Sequence, residues 1–268
     1  MIAEMYKRRE RLALIIFFLT LIISGLFLLF NMPNTMNEWF EFSSILLLLL
    51  FMITIAGISR SKYEKVKDVA FPFSEQTLES MDHIVLKKDA TFIPRLLVFE
   101  KTGEFLGTFQ LTGLSWWQYP LLLNEAFLSL LPIKMSFVTY QGDKVLTFKR
   151  RGIIKQTFLD VYDENDQFIG QYHQEELKSI FTIKGKLLDQ NGQLILPVKA
   201  SGAYGDFDIC DQENHRWAYF YNGRFPHEYT AVFKELDNDI IELSNQIDSE
   251  KKKLLLAMIA YMFSTRQK

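Results

Sequence analysis

The sequence predicts a mainly β domain, a sandwich or barrel, placed behind a two-helix membrane hairpin, and three observations carry that reading. Two uncharged runs, Leu12 to Phe30 and Phe42 to Ser59, stand near the start. From Phe92 onward, short β-rich segments alternate with turn clusters. The chain then runs into Leu254 to Phe263, ten apolar residues in succession.

Each uncharged run is long enough, at about 1.5 Å per residue, to cross a hydrocarbon core of about 30 Å. Thr20, Ser24 and Gly25 are the interruptions in the first, and Ile45 to Ile55 is nearly all Leu, Phe, Met and Ile. An amphipathic helix of a soluble protein keeps a polar face, which neither run has. A cleaved signal peptide is the competing reading of the first run. Its apolar stretch exceeds the usual core of such peptides, and no small-x-small site follows in Asn31 to Asn37. Lys7, Arg8, Arg9 and Arg11 precede the first run, and Arg60, Lys62, Lys65 and Lys67 follow the second. The intervening Asn31 to Glu41 has Glu38 and Glu41 but no Lys or Arg, so both flanks are expected in the cytoplasm. The expectation is an integral membrane protein with two spans and both termini cytoplasmic, with Trp39 at headgroup depth. Residues 1–62 form the hairpin on this reading. Ser61 to Ala90, with mixed charges, Pro72 and Ser74, reads as a connection, so residues 63–90 are taken as linker and 91–268 as the folded domain.

The charge balance bears on partners. Thirty Lys and Arg against 32 Asp and Glu give a formal net charge of -2, without the basic stripe that a nucleic-acid partner requires. Cys210 is the single cysteine, which excludes an intramolecular disulfide or a Cys-based zinc cluster and suits a reducing compartment.

In the β region, Arg95 to Phe99 and Glu104 to Gln110 read as a hairpin across Lys101, Thr102 and Gly103. Further turns are expected at Gln141 to Asp143, Asp163 to Asp166, Gln190 to Gly192, Asp211 to Asn214 and Asn222-Gly223. Phe158, Val161, Tyr162, Phe168, Ile169 and Tyr172 mark intervening strands. The terminal run favours helix, with Ser249 or Asp248 as its cap, although Lys251 to Lys253 oppose its dipole. Ten helical residues reach about 15 Å, too short to span a bilayer. A helix apolar on every side must be enclosed, and the preceding sheet is the enclosure at hand.

The segments "LTFKRRGIIKQTFLDVYDENDQFIGQYHQ", "LLDQNGQLILPVKASGAYGDFDICDQENHRWAYFYNG" and "KKKLLLAMIAYMF" follow one another in the order of the tubby C-terminal-like superfamily, which the stretch from Thr91 to Phe263 resembles. That group includes the LURP-one-related proteins and the phospholipid scramblases. The resemblance implies a closed antiparallel β-barrel around the hydrophobic C-terminal helix. The chain departs from the scramblases in lacking a Cys-rich palmitoylation segment and a Pro-rich amino-terminal tail, and in placing its apolar runs before the barrel.

No enzymatic signature stands out. His83, His173, His215 and His227 form no HExxH or other close pair, and Phe168 and Gln174 sit where a calcium loop opened by Asp163 would need Gly and Glu. No nucleophile elbow, P-loop or dinucleotide fingerprint occurs, Gly202 to Gly205 is only turn-sized, and carboxylates such as Asp160 and Glu235 read as solvent-facing. The chain is expected to be non-enzymatic, without metal or cofactor. Lys144, Lys149, Arg150, Arg151 and Lys155 cluster around one predicted strand pair and suit anionic lipid headgroups, although cations guarding a strand edge have the same composition. Tubby proteins bind phosphoinositides through barrel Lys and Arg, so the resemblance implies the same kind of partner. Trp116, Trp117 and Tyr119 resemble interfacial anchors, and Leu121 to Leu131 reads as a short helix that either meets the membrane or fills the core. The leading expectation is a membrane-tethered domain that binds or senses lipid. The alternatives are an interaction module recruiting a cytosolic protein, and lipid scrambling.

Overall fold

The computed structural model describes residues 2–69, 72–89, 91, 93–119, 122, 131–152, 156–175, 182–201, 206–223, 233 and 238–265. The chain divides into two compact units, Met1–Ala70 and Phe71–Lys268.

The first unit is a pair of helices, α1 (Ile2–Phe30) and α2 (Met36–Val66), packed against each other. Both are long and apolar enough to cross a membrane, by length and composition. Leu, Ile and Phe side chains along both, such as Ile23, Leu29, Leu47 and Phe51, are more than half exposed, a surface that suits lipid and not water. The turn between them is set by a capping box. Thr35 Oγ1 accepts from Glu38 N (3.3 Å), and the Glu38 carboxylate accepts from Asn34 N (2.7 Å) and Thr35 N (3.4 Å). At the opposite end, Lys7 lies over the Tyr63 ring and Lys62 over the Tyr6 ring, at 5.6 and 5.7 Å from the ring centroids.

The second unit is a twelve-stranded antiparallel sheet rolled into a nearly closed barrel, in the order β10-β11-β12-β1-β2-β3-β4-β5-β6-β7-β8-β9. The strands are β1 (His83–Lys88), β2 (Arg95–Glu100), β3 (Phe105–Thr112), β4 (Lys134–Thr139), β5 (Lys144–Arg151) and β6 (Gln156–Tyr162). They continue as β7 (Phe168–Glu175), β8 (Thr182–Asp189), β9 (Leu194–Ser201), β10 (Phe207–Cys210), β11 (Arg216–Gly223) and β12 (Asn238–Leu243). The end strands β9 and β10 approach within 8 Å between Cα atoms. Pro197, which lacks an N–H, lies on β9, as suits a strand with a free edge.

Five hairpins share one turn. In 100–104, 139–143, 163–167, 189–193 and 211–215, the first N–H donates to the fifth carbonyl and the fourth N–H to the first carbonyl. The fourth residue always has positive φ: Gly103 (92°), Gly142 (98°), Asp166 (59°), Gly192 (78°) and Asn214 (64°). This is the three-residue loop with a bulge at the left-handed residue, and the ladder shifts register at each. Asp163, Asp189 and Asp211 reinforce their turns, each Oδ1 accepting two backbone N–H groups at 2.7–2.9 Å.

Helix α3 (Ser249–Thr265) fills the barrel. All ten side chains from Leu254 to Phe263 are at most 4% exposed and share one core with inward residues of the strands, among them Leu96, Phe109, Phe148, Tyr172, Leu187 and Phe220. Small barrels of about eight strands are filled by their own side chains, and diameter grows roughly in proportion to strand number. Twelve strands therefore leave room for a helix. Gly170 marks how close the fit is, since a Cβ there would lie 2.5 Å from Leu188 O and 3.0 Å from both Leu254 methyls. Asp248 is the cap, its Oδ1 accepting from Lys251 N at 2.9 Å. The first-turn lysines are offset by acids, Lys251 Nζ by Asp248 and Lys253 Nζ by Glu164, each at 2.6 Å.

Three details differ from the sequence reading. β1 lies inside the stretch read as linker, pairing with β12 and β2. It is buried on both faces, with Ile84 and Leu86 inward and Val85 and Lys87 outward, so it shows no alternation. Helix α2 runs on to Val66. Asn222 and Gly223 are not a turn: the ladder carries them opposite Asp239 and Asn238. The helix read at Leu121 to Leu131 lies largely outside the described residues.

Three substitutions test this construction by chemical denaturation of the full chain. Asp248→Ala is expected to destabilise by about 1 kcal/mol through loss of the cap. Gly192→Ala, whose Cβ meets nothing within 4 Å, is expected to lose roughly 1–2 kcal/mol from the left-handed backbone alone, whereas Asn214→Gly is neutral or stabilising.

Candidate functional site

Four of the five cations read as one cluster, Lys144, Lys149, Arg150 and Arg151, are separated by the strand they sit on. Leu146, Phe148 and Arg150 alternate inward along β5, leaving Thr147, Lys149 and Arg151 outward. Arg150 is 2% exposed, donates to Leu131 O (3.0 Å) and Thr157 Oγ1 (3.2 Å), and lies over the Tyr261 ring of α3. It belongs to the interior and cannot meet a headgroup at the surface. Lys155 lies outside the described residues.

The outward cations gather on the wall of β4, β5 and β6. Lys134 on β4 stands directly opposite Lys149 on β5, a like-charge pairing that by itself is unfavourable. Lys149 is exposed and lies over the Tyr162 ring of β6, 4.3 Å from its centroid. Lys144, at the start of β5, pairs with Asp166 of the 163–167 turn (Nζ–Oδ2 2.7 Å). The Lys144 hydrogen bond holds the Asp166 carboxyl below its ordinary value, and the Lys144, Lys134 and Lys149 charges lower it further. Three lysines on two strands thus act on one carboxylate. Arg151 is paired with Asp160 on β6, which also accepts from Gln171 Nε2 at 2.6 Å. Burial opposes ionisation of Asp160, but the Arg151 and Gln171 hydrogen bonds and the Arg151 and Lys149 charges outweigh it and lower its pKa. The patch of Lys134, Lys144, Lys149 and Arg151 against Asp160 and Asp166 has a formal surplus of two positive charges (4 − 2).

Sequence proximity could not have supplied Lys134, which comes ten residues before Lys144 and reaches the patch through register. Further round the wall, exposed Lys184 and Lys186 on β8 and Lys199 on β9 also point outward, with Lys184 opposite Lys199. Between them and Arg151, Phe158 stacks on His173 at 4.5 Å. Their signal was the period-2 alternation with the buried Leu187, Leu196 and Val198.

A groove of about 550 Å³ adjoins the patch at Lys144 and includes Ser74, Leu106, Thr139, Asp143 and Lys253 in its walls. Lys149, Arg150 and Arg151 do not line it. The Ser74 hydroxyl donates to Glu100, and Phe73 stacks on Tyr140 at 4.8 Å, so the segment that leads into the barrel forms one wall.

Trp116 is 84% exposed and Tyr119 about half exposed, on and just after a 3-10 turn, Trp116–Gln118, that follows β3. Gln118 Nε2 donates to Pro132 O (3.4 Å), tying that turn to the chain two residues before Lys134. The Trp117 side chain lies outside the described residues. Trp39 lies in the second turn of α2, edge-on to Phe42 at 6.1 Å. Among the described residues no three His, Cys, Asp or Glu side chains form a metal-sized group. No family model, curated protein or solved structure matches the chain.

Asp160 gives the patch a pH signature. Its folded-state pKa lies below the unfolded value of about 3.9, so the stability it contributes is present above that value and is lost as pH falls through the folded pKa. The destabilisation produced by Asp160→Asn at neutral pH is expected to shrink below about pH 4 in denaturation midpoints.

Proposed function

We propose that this chain is a membrane-anchored, non-enzymatic tubby-like protein, related to the LURP-one and scramblase-type barrels, whose outer wall binds anionic lipid headgroups. On this reading α1 and α2 span the bilayer with both termini in the cytoplasm, following the eight flanking cations and the uncharged-to-acidic loop between the helices. The observation that carries the lipid reading is a wall of outward lysines, with Lys134 directly opposite Lys149, Lys149 over the Tyr162 ring beside the 163–167 turn, and Lys144 paired with Asp166 of that turn. Opposed lysines are a liability in an empty sheet and an asset beneath a phosphate. Exposed Trp116, held near the start of β4, supplies an aromatic side chain of the kind found at headgroup depth. The tubby-like assignment is supported by the barrel of twelve strands around a C-terminal helix whose apolar segment is buried.

The test uses the full chain in neutral-lipid nanodiscs, titrated calorimetrically with short-chain phosphatidic acid or phosphatidylcholine below their micellar concentrations. Binding of the acid alone is expected. Ala at Lys134, Lys144 or Lys149 is expected to weaken it by about 1 kcal/mol each, roughly fivefold. Rising salt weakens it further. Absence of any heat specific to phosphatidic acid overturns the reading.

A further inference from the structure

The five barrel turns are interchangeable in hydrogen bonding, and the residue at the left-handed position is where they differ. Gly103, Gly142 and Gly192 meet the backbone demand without strain, and Asn214 is the commonest tolerated substitute. In the 163–167 turn the position is Asp166, at φ 59°. The backbone gives no reason for a charge there. The side chain does have a destination, because its carboxylate reaches Lys144 at 2.7 Å and feels Lys134 and Lys149. Asp166 is also well exposed, with 64% of its side chain accessible, and Lys144 is one-third exposed. Such a pair is held loosely and can exchange partners.

We infer that Asp166 is a specificity-determining residue, an internal anion that occupies the lysine site and admits only ligands bearing more negative charge than itself. The inference rests on the lipid-binding reading above and refines it. With Asp166 in place the three lysines retain a surplus of two charges. A phosphodiester headgroup brings one negative charge and must compete with a carboxylate that is already tethered at the site. A phosphomonoester carries about 1.5–2 negative charges at neutral pH and three acceptor oxygens, enough to engage two or three ammonium groups and displace the carboxylate. The ligand class is therefore a lipid with a terminal phosphomonoester, preferred over lipids whose phosphate is a diester. Asp166 touches Lys144, one of the lysines that would hold the ligand, so its effect is selective and goes beyond an overall change in net charge.

The experiment compares phosphatidic acid with phosphatidylglycerol, a monoester and a diester of the same acyl length, on the full chain in neutral nanodiscs. Wild type, Asp166→Gly and Asp163→Asn are titrated at neutral pH. Glycine suits the backbone at position 166, and retention of the wild-type denaturation midpoint checks that Asp166→Gly is folded. Asp163→Asn removes a neighbouring acid from the same turn and serves as the charge control. Wild type is expected to bind the monoester several-fold more tightly than the diester. Asp166→Gly is expected to gain diester affinity more than monoester affinity, narrowing the ratio, while Asp163→Asn leaves the ratio unchanged. Equal affinity of wild type for the two lipids overturns the inference, as does an unchanged ratio in Asp166→Gly, and in both cases the lipid-binding reading survives. Failure of both lipids to bind overturns the reading itself, and the inference with it.

Discussion

The structure depends on a mutual requirement between one helix and one sheet. A cylinder of twelve strands is too wide to be filled by its own inward side chains, and a helix apolar on every side cannot lie in water. Each solves the other's problem. Leu254 to Phe263 are buried around the full circumference of α3, while inward residues from β2, β3, β5, β7, β8 and β11 gain a surface to pack on. Burying a Leu, Met, Ile or Phe contributes about 1.5–3 kcal/mol, so this one segment supplies a large part of the barrel's hydrophobic stabilisation. The wall is shaped to the helix, with Gly170 leaving space for the Leu254 methyl groups.

A filled interior fixes which side chains face outward, and this makes the surface chemistry legible as geometry. Alternation along β5 sends Arg150 to the helix and Lys149 to the surface. Register across β4, β5 and β6 then places Lys134, Lys149 and Asp160 in one row. Repetition of one turn type puts acids at the hairpin tips, because an Asp that accepts two N–H groups is the side chain such a turn favours. Asp166 departs from that logic: it stabilises no turn hydrogen bond with its side chain among the described contacts and instead faces a lysine of the next strand.

Much of this was legible in the chain. Gly103, Gln141 to Asp143, Asp163 to Asp166, Gly192 and Asn214 marked five turns, and the unbroken apolar run marked the helix. Charge clustering misled, since Lys144 to Arg151 are contiguous in sequence but lie along an extended strand. Their period of two assigns Arg150 to the core with Leu146 and Phe148, information that was present but masked by its charge. β1 was hidden because both of its faces are covered, Phe233 and Phe99 lying on the outer side where Lys87 sits over the Phe233 ring. Lys134 joins Lys149, and Lys184 faces Lys199, only because of which strands are neighbours; alternation marks each as outward, but no local pattern encodes the pairing.

Thiol accessibility tests the enclosure of α3 most directly. In a Cys210→Ser background, a full chain with Met258→Cys is compared with one carrying Lys199→Cys, whose lysine is exposed on β9. Enclosure predicts that the thiol at 258 reacts with a maleimide only at the rate of global unfolding, while that at 199 reacts at once. Equally rapid labelling at both positions under native conditions would contradict it.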